Sequence, residues 1–187
     1  APTLGEEGLE HLKSLVEDYA RMSAEDTPDE HEALRFLRDL RSGTGNYAAD
    51  QKNHLIKTCL QEIAEARGDT EAYIAQYSNR ELTRPDIAAE VALLFLAQGQ
   101  ADAALATLTG ADFNGGALGQ KEWDIAYIAS LVALDRIDEA QAHRWIRFGE
   151  TLTPDFLRDY LKVLPDFDDM EAEDRAKAQA LNFESVH

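Results

Sequence analysis

The chain of 187 residues is 44% apolar and 29% charged, a composition that can bury a core without disulfide or metal staples. Its 36 acidic residues outnumber its 18 basic ones, leaving a formal net charge of −18 and a pI near 4.5. Such a surface repels phosphate backbones and anionic headgroups, which counts against nucleic acid and membrane surfaces as partners and in favour of a basic or cationic one.

One cysteine, Cys59, excludes an intrachain disulfide framework. No run of about 18 apolar residues suggests a membrane span, and the start APTLGEEGLEHLK carries no signal-peptide apolar core, so a cytoplasmic location is expected.

Helical periodicity runs through the whole chain. Leu9, Leu12, Leu15, Val16 and Tyr19 share one helical face, and that first helix is expected to end near Met22. Thr27-Pro28-Asp29-Glu30 reads as a helix start, with Thr27 as cap and Pro28 in the first helical position. Leu34, Phe36, Leu37 and Leu40 continue it, and SGTGN at 42–46 closes it. A long helix is predicted from about Ala48 to Arg67, with Gly68 as its stop. Cys59 shares a face there with Leu55, Ile56, Leu60 and Ile63; it reads as a packed structural thiol, because no base or basic cluster nearby would activate it.

Asp69 should cap a short helix carrying Tyr73, Ile74 and Tyr77. Pro85 opens IAAEVALLFLAQ, apolar nearly all round and therefore expected to be central. Gly99 ends it, ADAALATL follows, and GADFNGGALG at 110–119 is a loop. EWDIAYIASLVAL and DEAQAHRWIRF form the next two helices. Thr153-Pro154-Asp155 starts FLRDYLKVL, and a last helix should cover roughly 169–183. No period-two run bounded by turn pairs suggests a strand, so the expected class is all-α, with about ten helices.

The junctions repeat. Gly68 precedes Ala72, Gly99 precedes Ala104, and Asp135 precedes Ala140, each in a tight helix-turn-helix. Gly99 to Asp135 spans 36 residues and Ala72 to Ala104 spans 32, bracketing the tetratricopeptide period of about 34. Trp123 falls 12 residues before Asp135, near where such a repeat places its first-helix aromatic. The small alanine lets two helices approach closely across a short turn. The expectation is a right-handed α-α superhelix of tetratricopeptide-like hairpins over 1–187, with 1–46 an amino-terminal hairpin and 47–187 the repeat-like core.

Candidate chemistry is sparse. Asp166, Asp168, Asp169 and Glu171 could offer oxygen ligands to calcium or magnesium. An EF-hand counted from Asp166 fails, because Glu171 stands where glycine is needed and Lys177 where a bidentate glutamate is needed. The better reading is punctuation: Pro165 stops one helix, and Asp168 with Glu171 forms a capping box for the next. His11, His31, His54, His143 and His187 make no paired metal motif, and Glu139 with His143 reads as a surface contact one turn apart. No nucleophile elbow or phosphate loop occurs. No catalytic residue and no cofactor is therefore assigned.

The most distinctive surface candidate is HRWIRF at 143–148 with the downstream cations: Arg144, Trp145, Arg147, Phe148, Arg158 and Lys162. Arginine with aromatics is the composition that binding hot spots favour. The competing reading buries Trp145 and Phe148 between neighbouring hairpins while the arginines pair with the acidic excess.

The run RWIRFGETLTPDFLRDYLKVLPDFDDMEAEDRAKAQAL (144–181) resembles a bacterial family of helical domains of unknown function. Within it an Arg-Trp-x-Arg-Phe helix leads into a Tyr-Leu-Lys-x-Leu-Pro-Asp-Phe-Asp-Asp-x-Glu-Ala-Glu segment. EIAEARGDTEAYIAQY (62–77) and the two helices after 121 are similar too, so the resemblance spans roughly 60–187. It implies an α-helical, repeat-like fold and no activity or functional residues.

The leading expectation is a non-enzymatic scaffold that binds a protein or peptide. Two alternatives stand beside it: a divalent-cation-dependent enzyme or sensor using Asp166 to Glu171, and an acidic decoy that inhibits a basic partner.

Overall fold

A computed structural model describes residues 4–22, 47–113, 118–165 and 168–184. Among these are ten α-helices and no strand. They are α1 (Gly5–Arg21), α2 (Tyr47–Arg67), α3 (Thr70–Ile74), α4 (Asn79–Leu82) and α5 (Pro85–Ala97). After them come α6 (Ala101–Thr109), α7 (Gln120–Ala133), α8 (Ile137–Thr151), α9 (Pro154–Leu161) and α10 (Asp168–Glu184). The expected helix from Thr27, the SGTGN stop and most of the expected 1–46 hairpin lie outside the described residues. Internal packing divides the chain into two compact units, residues 1–79 and 80–187.

In the first unit α1 packs against α2. The amphipathic face of α1 is only partly used: Leu9 is buried, while Leu15 is 52% and Tyr19 37% exposed. Arg67 ties the two helices together, reaching Glu6 and Glu10 at 2.7 Å each. Its hydrogen bond to Glu10 and the charge of Glu6 raise the already high pKa of that guanidinium. Near the other end, Lys52 Nζ lies 4.9 Å from the centre of the Tyr19 ring and donates to the carbonyl of Met22. Along α2, Ile63 and Ala64 are buried. Cys59 is half-buried, and Leu55, expected on the same packed face, is 52% exposed.

The three short junctions share one mechanism. Gly68, Gly99 and Asp135 have φ of +66°, +73° and +59°. Beyond each, an amide reaches back five residues to an orphan helix carbonyl: Asp69 to Ala64, Gln100 to Phe95 and Arg136 to Leu131, all at 2.9 Å. The left-handed residue itself bonds three residues back, completing a Schellman motif each time. After the first, the Asp69 carboxylate accepts from the Ala72 amide at 2.9 Å and caps α3 as expected.

In the second unit Pro85 occupies the first position of α5, where its missing N–H costs nothing. Helices α5 and α6 form one hairpin about Gly99, α7 and α8 another about Asp135, and α5 and α6 both pack on α7. Ala89, Ala92, Ala104, Leu108 and Ala126 make the first core. Ile128, Leu131, Ala140, Phe148, Phe156 and Ala176 make the second, drawn from α7 to α10. Ala104 and Ala140 have no exposed surface, so a larger side chain there would force the paired helices apart. Leu108 and Leu131, fully enclosed, each contribute about 1.5–3 kcal/mol of transfer free energy. Helix α5 is central as expected along Ile87 to Ala92, although Leu93 is 49% exposed.

Gly119 satisfies two demands at once. Its φ is +76°, and a Cβ there would lie 2.5 Å from the Asp86 amide nitrogen at the start of α5.

Two stability outcomes follow from these turns. Asp135 is exposed and makes a left-handed turn that suits glycine, since a Cβ there costs roughly 1–2 kcal/mol. Asp135→Gly should therefore raise the unfolding free energy by about 1 kcal/mol in urea titrations. Gly119→Ala should lower it by about 2 kcal/mol or more, because it adds backbone strain to a clash with main chain.

Candidate functional site

Helix α7 is apolar on most of its surface, yet Asp124 sits within it with no exposed surface at all. A buried carboxylate must be paired and hydrogen-bonded to remain charged. Helix α8 supplies the partners. His143 Nε2 donates to Asp124 Oδ1 at 2.8 Å, and Arg147 Nε donates to Oδ2 at 2.6 Å. Gln120 Nε2, one turn back on α7, donates to Oδ1 at 3.2 Å. Arg147 also pairs with Glu150. Since His143 and Arg147 are four residues apart, both face α7 from one side of α8.

Aromatic rings wall this cluster. Trp123 and Tyr127 stack with centroids 4.7 Å apart and planes 11° from parallel. The His143 ring meets Tyr127 edge-on at 4.9 Å, and Phe113 meets Trp123 edge-on at 5.2 Å. Trp123 Nε1 donates to the Leu108 carbonyl at 2.9 Å, tying α7 to the end of α6. The result is a satisfied charge network between two helices. It offers no nucleophile beside the Asp124–His143 pair and belongs to the architecture.

An accessible site forms on the other side of α8. Trp145 is half-buried, with its ring 5.2 Å from Tyr160 of α9 and 5.9 Å from Phe148. The guanidinium of Arg175, from α10, lies 4.4 Å over its face. Two clefts meet at this stacked pair. One, of about 550 Å³, is lined by Trp145, Arg175, Gln179 and Phe183 among others. The other, of about 430 Å³, is lined by Gln141, Trp145, Tyr160, Pro165 and Arg175 among others. Gly149 of α8 faces the Gln179 side chain of α10, where an added Cβ would come within 2.7 Å of the movable terminal amide.

The six residues of the sequence-level patch are thus dispersed. Trp145 alone lines the clefts. Phe148 is buried in the core, and Arg147 turns to Asp124. Arg144 is partly buried, which lowers its pKa, and donates to Gln141 at 2.7 Å. Arg158 and Lys162 are exposed and pair within α9 and its end, with Asp155 and Asp159. His143 takes Asp124 as its carboxylate, whereas Glu139 binds Arg136 through two bonds of 2.7 and 2.6 Å.

Helix α10 begins at Asp168, so Asp168, Asp169 and Glu171 all occupy its first turn. There they complement the positive end of the helix dipole. Asp168, expected as the cap before the helix in a capping box with Glu171, is instead its first residue, and Asp166 lies outside the described residues. Among the described residues no group of three or more histidines, cysteines, aspartates or glutamates is arranged to hold a metal. None of the described helices is long and apolar enough to cross a membrane.

A family model described as a family of unknown function, DUF6880, matches residues 1–187. The chain belongs to that family. The match takes in the amino-terminal segment, beyond the 60–187 of the sequence-level resemblance. No curated protein and no solved structure matches the chain.

Two features of this DUF6880 chain were not singled out from sequence. Asp124 could have been: it is a lone carboxylate inside an apolar helix, and a His-x-x-x-Arg pair follows in the next helix. Arg175 carried no such signal, because it sits in a run of alternating charges and its partner ring lies thirty residues away in sequence.

The network makes a graded prediction. Asp124→Ala leaves three half-buried donors facing a cavity and should destabilise the DUF6880 chain by about 3 kcal/mol. Asp124→Asn should cost about 1 kcal/mol, because its amide can still accept from Arg147 and donate to the other His143 tautomer. Urea denaturation of both variants checks the order.

Proposed function

We propose that this DUF6880 chain is a non-enzymatic docking module whose α8–α10 face binds a protein or peptide in the cytoplasm. The observation that carries this reading is the pair of clefts meeting at Trp145. An accessible, partly immobilised tryptophan with an arginine stacked on it matches the composition of binding hot spots. The cleft volumes suit individual side chains of a docked segment.

The finer architectural reading is a tetratricopeptide-like right-handed superhelix. Three lines support it: the α5–α6 and α7–α8 hairpins with their Schellman turns, the fully buried Ala104 and Ala140, and the packing of α5 on α7. Such arrays present extended surfaces to partners, although fold alone does not assign a function. The acidic decoy is the reading that the net charge favours. Salt separates the two, because at about 1 M ionic strength the Debye length falls to about 3 Å and a purely electrostatic complex dissociates.

A photo-crosslinking amino acid placed at Ala142 or Ala178, one on each cleft, tests the docking reading in native extract. Both positions should capture the same polypeptide, retain it in high salt, and lose it in Trp145→Ala. A crosslinker at Glu122, exposed on α7, should capture nothing specific. Equal capture from all three positions, or capture that vanishes with salt, would sink the proposal.

A further inference from the structure

The larger cleft also carries a charge signature that runs against the rest of the chain. Most described arginines of the second unit are neutralised by carboxylates nearby: Arg84 by Asp86, Arg136 by Glu139, Arg147 by Asp124 and Glu150, and Arg158 by Asp155. Arg175, like Arg80, is exposed and has no carboxylate paired with it among the described residues; of the two, Arg175 lines the clefts, with its guanidinium over the face of Trp145.

The sequence around it makes this notable. Glu171 lies one helical turn ahead, in the i, i+4 order that normally favours a glutamate–arginine pair. The guanidinium instead folds across the indole in a cation–π contact, and among the described residues no carboxylate meets its N–H groups. Among the described residues, the lining of the larger cleft is Trp145, Arg175, Ala178, Gln179, Asn182 and Phe183, with no acidic side chain, whereas the smaller cleft that shares Trp145 and Arg175 includes Asp138. A chain of net charge −18 thus has, among the described residues, one aromatic cleft lined without a carboxylate and with a fork-shaped cation at its edge.

We infer that the Trp145–Arg175 cleft takes a peptide segment in which an aspartate or glutamate stands beside a large apolar residue. The partner's carboxylate lies along the edge of the Arg175 guanidinium, in the two-point geometry that arginine offers and lysine does not. The neighbouring apolar side chain lies against Trp145 and Phe183. This assignment rests on the docking reading and specifies its partner. The negative surface opposes an acidic peptide at long range, but physiological salt screens beyond about 8 Å. The contact at Arg175 acts well inside that distance, so the local term decides selection.

The test uses the full chain immobilised against a positional-scanning library of acetylated, amidated hexapeptides. Wild type should enrich Asp or Glu next to Phe, Leu or Trp. Arg175→Gln should lose the acidic preference and bind the selected sequence about tenfold more weakly, while keeping the apolar preference. Arg175→Glu should turn the selection toward Lys or Arg. Arg175 is exposed, so both variants should retain the wild-type helical circular dichroism. Selection without an acidic preference, selection unchanged in Arg175→Glu, or no peptide retained would each overturn the inference. The crosslinking outcome at Ala142 and Ala178 then decides separately whether docking itself stands.

Discussion

The second unit is organised around a carboxylate that water cannot reach. Desolvating Asp124 is costly, and only the simultaneous presence of Arg147, His143 and Gln120 makes that burial tolerable. Those partners come from a fixed stripe of α8, so α7 and α8 have one relative register in which the charge is satisfied. Sliding α8 by a turn would bring Thr151 or Glu139 to one of the two partner positions and break the paired contact. Leu131 and Ala140 can pack in more than one arrangement with modest loss; the ionic cluster cannot. The network thus specifies the hairpin more than it stabilises it.

That register has a consequence on the opposite side of α8. With Arg147 and Phe148 committed inward, Trp145 is set toward α9 and α10, where Tyr160 and Arg175 close on it. The same helix therefore divides its aromatic–basic run between two jobs. Its inward residues lock it to α7, while Trp145 stays half-exposed beside α9 and α10.

Most of the helices were legible in the sequence, because proline starts, Gly68 and Gly99 stops and apolar periodicity are local signals. Even the substitution of Asp135 for a turn glycine was visible, and the turn keeps its geometry despite it. The site was legible only as a string. HRWIRF marked α8, but which of its residues face outward depends on where a buried charge sits in the helix before. Arg175 could not be read at all, since its meaning comes from a ring brought over it by the packing of α8 on α10. The acidic start of α10 was legible as a helix beginning, but Asp168 is its first residue and not the cap that the sequence suggested.

The packing of the second unit joins mainly elements that are close in the chain: α5 with α6 and α7, α7 with α8, α8 with α9, and α10 with both α8 and α9. Contacts so local make the loops that must close during folding short, which keeps their entropic cost small. Either hairpin can form before the other, and neither waits for a distant part of the chain. The long-lived, half-assembled intermediates that expose sheet edges in other architectures have little opportunity to accumulate here. A mutation at the α8–α10 face would then act late, loosening the last helix to dock while the earlier hairpins remain paired.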